Sequence, residues 1–232
     1  MRVLIFFSVV LFLAGCQTSQ PEAPQVLVMT DFSLSVRQDL PEYQKDLYVI
    51  LNEMSPNSRL VVGKIVATTE ATFSPFIDFT FPDENFWLTN QDDVQDEKDS
   101  IRARFDTLCQ EAFRSPRLSQ QTNIVSALSL VKQVFPTSKR RVLVLLSDML
   151  HSSTDFDLEK ASITDTYIEA TVGMLKKQNR LPDLRGVDVY VAGARAPTEE
   201  RYRAVKKFWF RVFEETGAQL KYYGHPLLSF KL

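Results

Sequence analysis

Two acids and three hydroxyls stand where they could act together. The stretch 27–36, LVMTDFSLSV, ends an apolar run on Asp31 and follows it with Ser33 and Ser35 at alternate positions. A second apolar run, VLVLLSD, ends on Asp148, and LSQQTN carries Thr122 into a helical pattern. Carboxylates crowded together without a cation repel each other and titrate abnormally, and a divalent ion removes that repulsion. With oxygen as the only donor type, the ion that suits is hard: magnesium, manganese or calcium. Magnesium keeps several waters and needs few carboxylates, so it suits a set with only two charges. The same residues also suit a metal-free turn in which Ser33 and Ser35 cap the following helix.

The five donors lie in three distant segments, so only a particular fold can bring them together. QVLVMTD and RRVLVLLSD are continuous apolar runs, the pattern of strands buried on both faces. SRLVVGKIVAT and FSPFIDFTF read as two further strands forming a hairpin. GVDVYVAGA and AQLKYYG complete the strands. Helical spacing appears over 38–54, through Leu40, Tyr43, Leu47, Ile50, Leu51 and Met54. It returns over 92–114, from Ile124 to Phe135 with Pro136 ending the helix, over 160–179, and over 198–216 with Gly217 as its cap. Strand–helix alternation of this kind predicts an α/β fold. The expected form is a three-layer, Rossmann-like open sheet, mostly parallel with one antiparallel edge strand and helices on both faces. Ligands in such sheets gather at the carboxyl ends of the strands, where the strand order switches. Asp31 and Asp148 both fall at such ends, and they meet if their strands are neighbours.

DFSLS fits the DxSxS signature of von Willebrand factor type A domains. TNIVSAL resembles that family's threonine motif, and VLVLLSD resembles its third motif. The resemblance spans residues 25–232 in motif order and separation. It implies a metal-ion-dependent adhesion site formed by Asp31, Ser33, Ser35, Thr122 and Asp148. A Glu or Asp of a partner protein would complete the ion's shell. Two departures stand out: Met149 occupies a position where the family commonly has glycine, and SQQ before Thr122 lacks the glycine often found there.

The amino end has a separate logic. MRVLIFFSVVLFLAGC starts with one arginine and continues with an apolar run too short to span a bilayer, the form of a signal-peptide core. Its end, LAGC, resembles the lipobox of bacterial lipoproteins. That resemblance implies cleavage before Cys16, a diacylglycerol on its sulfur and acylation of the new amino terminus. Gln17, rather than Asp, at the next position implies sorting to the outer membrane, with the protein on its periplasmic face. The chain is thus expected to divide into a signal peptide over 1–15, a lipidated tether over 16–24 and one domain over 25–232. The tether QTSQPEAP reaches only about 15–25 Å.

Composition closes off other classes. A net charge of −2 gives no electrostatic argument for nucleic acid. Cys109 is the only cysteine besides Cys16, which leaves no intrachain disulfide once Cys16 is lipidated and no cysteine–histidine set for zinc. The seven glycines form no phosphate-cradling loop. The expected function is that of a membrane-tethered protein-binding module rather than an enzyme. A haloacid dehalogenase-like phosphatase would need a second acid two residues after Asp31, and Ser33 stands there. An envelope lipoprotein with a vestigial metal site is the other alternative. Asp155 and Asp157 read as the start of the next helix, and His151 lies near the expected rim. Val205, Phe208, Trp209, Val212 and Phe213 read as core. Phe210, if exposed with Tyr222 or Tyr223, reads as part of a contact surface, and the Phe86–Trp87 pair reads as either a packing plug or an interaction tip.

Overall fold

The computed structural model describes residues 22–83, 91–135, 140–227 and 230–232. The signal segment with Cys16, the Phe86–Trp87 pair and Pro136 lie outside these described residues. In chain order the elements are β1 (Gln25–Asp31), α1 (Leu40–Asn52), β2 (Arg59–Ile65), β3 (Ile77–Thr80), α2 (Gln91–Arg114) and α3 (Ile124–Val134). They continue with β4 (Arg141–Leu146), α4 (Asp165–Lys177), β5 (Val187–Ala192), α5 (Glu199–Thr216) and β6 (Gln219–Gly224). The strands form one sheet in the order β3-β2-β1-β4-β5-β6. All neighbours run parallel except β3, which pairs antiparallel with β2 at the edge. This is the α/β open sheet that the alternation predicts.

Every residue of β1 is buried, because helices cover both faces of the sheet. Side chains alternate between two cores, as the two-residue period of a strand requires. Leu27, Met29, Leu143, Leu145, Val189 and Val191 face α3, α4 and α5. Val26, Val28, Val142, Val144, Leu146 and Tyr190 face α1 and α2. Each fully buried aliphatic side chain contributes about 1.5–3 kcal/mol. The core predicted for α5 is buried as expected, and Cys109 on α2 is a buried free thiol.

Local chemistry sets the helix ends. Asn123, Thr164 and Thr198 accept backbone N–H groups at the starts of α3, α4 and α5. Gly217, at φ 71, ends α5 in the left-handed conformation that glycine tolerates best. Helix α4 begins at Asp165, later than the expected 160. Asp157 accepts the Glu159 and Lys160 N–H groups and folds that segment into a turn instead of starting a helix. Asp155, the other acid expected at a helix start, pairs with Arg180.

The chain leaves β1 through α1 to β2 on one side and returns through α2 and α3 to β4 on the other. The strand order therefore reverses at β1. The β1 and β4 carboxyl ends flank the resulting crevice, with Thr30 opposite Leu146 in register. Asp31 and Ser147 each follow by one residue, and Asp148 by two.

Candidate metal centre

Asp31 is fully buried at the end of β1. Its Oδ1 accepts the Ser33 N–H at 2.8 Å, and its Oδ2 accepts the Ser147 hydroxyl at 2.8 Å. Ser33 and Ser35 hydrogen-bond through their hydroxyls at 3.0 Å, and Ser35 Oγ donates to Asp148 Oδ2 at 2.8 Å. The Leu150 N–H donates to Asp148 Oδ1 at 2.9 Å. The Thr122 hydroxyl lies close enough to Asp31 to favour the charged form of its carboxyl. All five predicted donors are therefore brought into one crevice. The two serines do not cap α1, whose N-cap is Asp39 with no side-chain bond. They lie several residues earlier, turned toward the acids.

Backbone contacts stitch four loops into a ring around these donors. Ser119 N–H donates to the Phe32 carbonyl at 2.7 Å, and Leu34 N–H donates to the Ser119 carbonyl at 3.0 Å. Thr122 and Ser152 exchange both of their backbone bonds, at 2.9 and 3.0 Å. His151 joins the same two loops: its Nδ1 accepts the first N–H of α3, from Ile124, at 3.1 Å. Its Nε2 therefore carries the proton and donates to Ser153 Oγ at 3.0 Å. The ring is buried and stacked on Phe156, and burial pushes its pKa down to about 3, which keeps it neutral. Arg195, after β5, donates to the Ser35 carbonyl at 3.1 Å and pairs with Asp39.

Met149 explains one departure from the family pattern. Its φ of 67 is the left-handed conformation, which costs a non-glycine residue about 1–2 kcal/mol. The side chain is fully buried in the α5-side core, and its carbonyl accepts the Trp209 Nε1–H at 2.8 Å. Packing and that bond hold a residue where glycine would sit without strain.

The electrostatics of the crevice are unfavourable to the acids as free anions. Burial pushes the Asp31 carboxyl up to about 6. Burial first, and then the neighbouring Asp31 charge, push Asp148 up to about 7. Each carboxylate oxygen accepts a bond already described, yet retains lone-pair capacity. Among the described residues no three His, Cys, Asp or Glu side chains cluster as metal ligands. The charged supply here is two carboxylates, and the rest is hydroxyl. That donor chemistry fits a hard divalent ion and does not fit zinc.

Ser147, Arg195 and the bridging His151 also serve the crevice. Ser147 could have been found as a hydroxyl interrupting an apolar strand directly before an acid. No spacing in the sequence marks Arg195. Phe210 is 44% exposed and sits edge-on to Tyr223, on the α5 side of the sheet beyond β5.

No protein-family model matches the chain, and no curated protein does. Solved structures share its fold in part. The pilus adhesin SpaC from Lactobacillus rhamnosus GG, in an open conformation, is 12% identical with a TM-score of 0.47, over 88% of this chain and 28% of that one. The PilB minor pilin from Streptococcus sanguinis is 14% identical with a TM-score of 0.49, over 89% of this chain and 58% of that one. A von Willebrand factor type A protein from Catenulispora acidiphila is 10% identical with a TM-score of 0.40, over 88% and 39%. The chain thus spans 28 to 58% of the length of these three. At such identities and scores the likeness carries no role across to this chain.

Proposed function

We propose that this chain is a protein-binding module of the von Willebrand factor type A kind, which docks an acidic side chain of a partner through a divalent ion. The reading rests chiefly on one observation. Two buried carboxylates at the carboxyl ends of neighbouring strands, Asp31 and Asp148, share a crevice. They are linked through Ser33, whose backbone N–H bonds Asp31, and through the paired hydroxyls of Ser33 and Ser35, the latter bonding Asp148. Asp31, Ser33, Ser35, Thr122 and Asp148 would hold magnesium, or manganese or calcium in its place. The bound ion would supply a Lewis-acidic position for a carboxylate from outside. Ser35 and Leu34 are exposed and Leu34 is 55% accessible, which supports an approach from that side. The reading includes no catalytic step.

We further propose that Cys16 is lipidated and anchors the protein to the periplasmic face of the outer membrane. Metabolic labelling with palmitate tests this: wild type takes up label, and Cys16→Ser does not.

The alternative is an envelope lipoprotein whose site holds no ion. It is favoured by the existing bonds from Ser33, Ser147, Leu150 and Ser35, which satisfy the carboxylates in part. Melting of the soluble domain separates the two readings. Magnesium or manganese raises the melting temperature of wild type, and Asp31→Ala removes the increase. Identical melting with and without ions selects the ion-free reading. Chelator-sensitive capture of a partner by the tethered protein then extends the test to function.

A further inference from the structure

Tyr43 lies in the first turns of α1, and its side chain is fully buried. Its hydroxyl has no hydrogen-bond partner among the described residues. A buried donor without an acceptor is costly, and phenylalanine would fill the same space without that cost. The tip of the ring nevertheless has a place made for it. Gly193 follows β5 at φ 91, and a Cβ there would come within 2.6 Å of the Tyr43 hydroxyl oxygen and 2.5 Å of the ring. Glycine at 193 is thus required both by its backbone and by the tyrosine inserted against it. Asp31 and Asp148 are the charged groups that act most strongly on this hydroxyl, ahead of Asp39 and Arg195. On either side of Gly193, the Ala192 carbonyl accepts the Ser147 N–H at 2.9 Å and the Arg195 N–H donates to the Asp148 carbonyl at 3.4 Å, so the unpartnered hydroxyl lies against the loop that carries Asp148.

We propose that Tyr43 is a positioning residue of the metal centre, its hydroxyl donating to an oxygen of the loaded site. The inference rests on the divalent-ion reading above. It accounts for a tyrosine where the ion-free fold gains nothing from the oxygen. It also accounts for a glycine that keeps space open at the end of β5. Groups one layer behind the ligands orient them, and their loss commonly weakens metal binding by about 10–100-fold.

The test compares wild type with Tyr43→Phe, which removes one oxygen and keeps the packing. Free manganese is followed by electron paramagnetic resonance during titration, and the melting temperature is measured in chelator. The phenylalanine variant should bind manganese about tenfold more weakly, while its ion-free melting temperature stays equal to or above that of wild type. In protein labelled at the tyrosine Cζ carbons, added magnesium should shift one resonance that Tyr43→Phe lacks. Equal manganese affinity in the two proteins overturns the role of Tyr43 and leaves the metal reading standing. Failure of wild type to bind manganese overturns both. A fall in ion-free stability with unchanged affinity marks the hydroxyl as structural and also overturns the inference.

Discussion

At Asp31 the same burial that shapes the site destabilises the ion-free fold. An Asp in the unfolded chain titrates near 4, whereas Asp31 titrates at about 6 and Asp148 at about 7. Between those values the folded chain holds protons that the unfolded chain has released. Stability contributed by these two groups is therefore full below about pH 4 and is lost as pH rises toward 7. His151 works in the opposite sense below pH 6.5, because the unfolded chain protonates it first. Comparing variants cancels that opposing contribution. Asp31→Asn keeps an acceptor for the Ser33 N–H and removes one charge. Its stability relative to wild type should grow by about 2–3 kcal/mol between pH 4 and pH 8 in chelator, read from urea midpoints. A difference that does not change with pH would mean that the carboxyl is not held away from its ordinary titration.

Elements position the donors, and the cross-loop bonds determine how firmly. Thr122 is placed beside Asp31 by the loop before α3 being held against the loop after β4. The paired backbone bonds to Ser152 and the His151 bond to Ile124 are what hold it. His151→Ala leaves the Ile124 N–H and the Phe156 face without their partner. It should cost about 1–3 kcal/mol and lower the hydrogen-exchange protection of the Ile124 amide. His151→Asn, whose side-chain oxygen can replace Nδ1, should recover part of that protection. Unchanged protection in the alanine variant would remove His151 from this role.

The elements themselves were legible in the sequence because burial leaves a trace in every residue of a strand. An acid one hydroxyl residue beyond an apolar run, as at Asp31 and Asp148, marks a strand end in an α/β sheet. The partners of those acids left no such trace. Ser147 meets Asp31 through the register of β1 against β4, and Arg195 meets Ser35 across 160 positions of sequence. Helix α4 starts later than the residue pattern suggests because the Asp157 side chain holds a local turn, which composition alone does not separate from a helix cap.

At the scale of the whole molecule, β1 gives the domain a direction. Its first residue, Gln25, adjoins the expected tether, and its last, Asp31, is in the candidate site. Six strand steps of about 3.3 Å put these ends about 20 Å apart. The residues of 16–24 reach about as far, so an anchored domain could turn over on a bilayer only with that whole stretch drawn out along its side. A lipid-anchored protein would therefore present Leu34, Ser35 and Arg195 away from the membrane, toward a partner in the space beyond. Spin labels introduced by Leu34→Cys and Arg140→Cys test this in vesicles carrying the anchored protein. Arg140 is exposed beside the start of β4, at the Gln25 end of the sheet, where its carbonyl accepts the Gln25 N–H. The label at 140 should be relaxed by paramagnetic lipid headgroups and the label at 34 should not. Equal relaxation at both positions, or stronger relaxation at 34, would place the crevice against the membrane, where a soluble partner has no access.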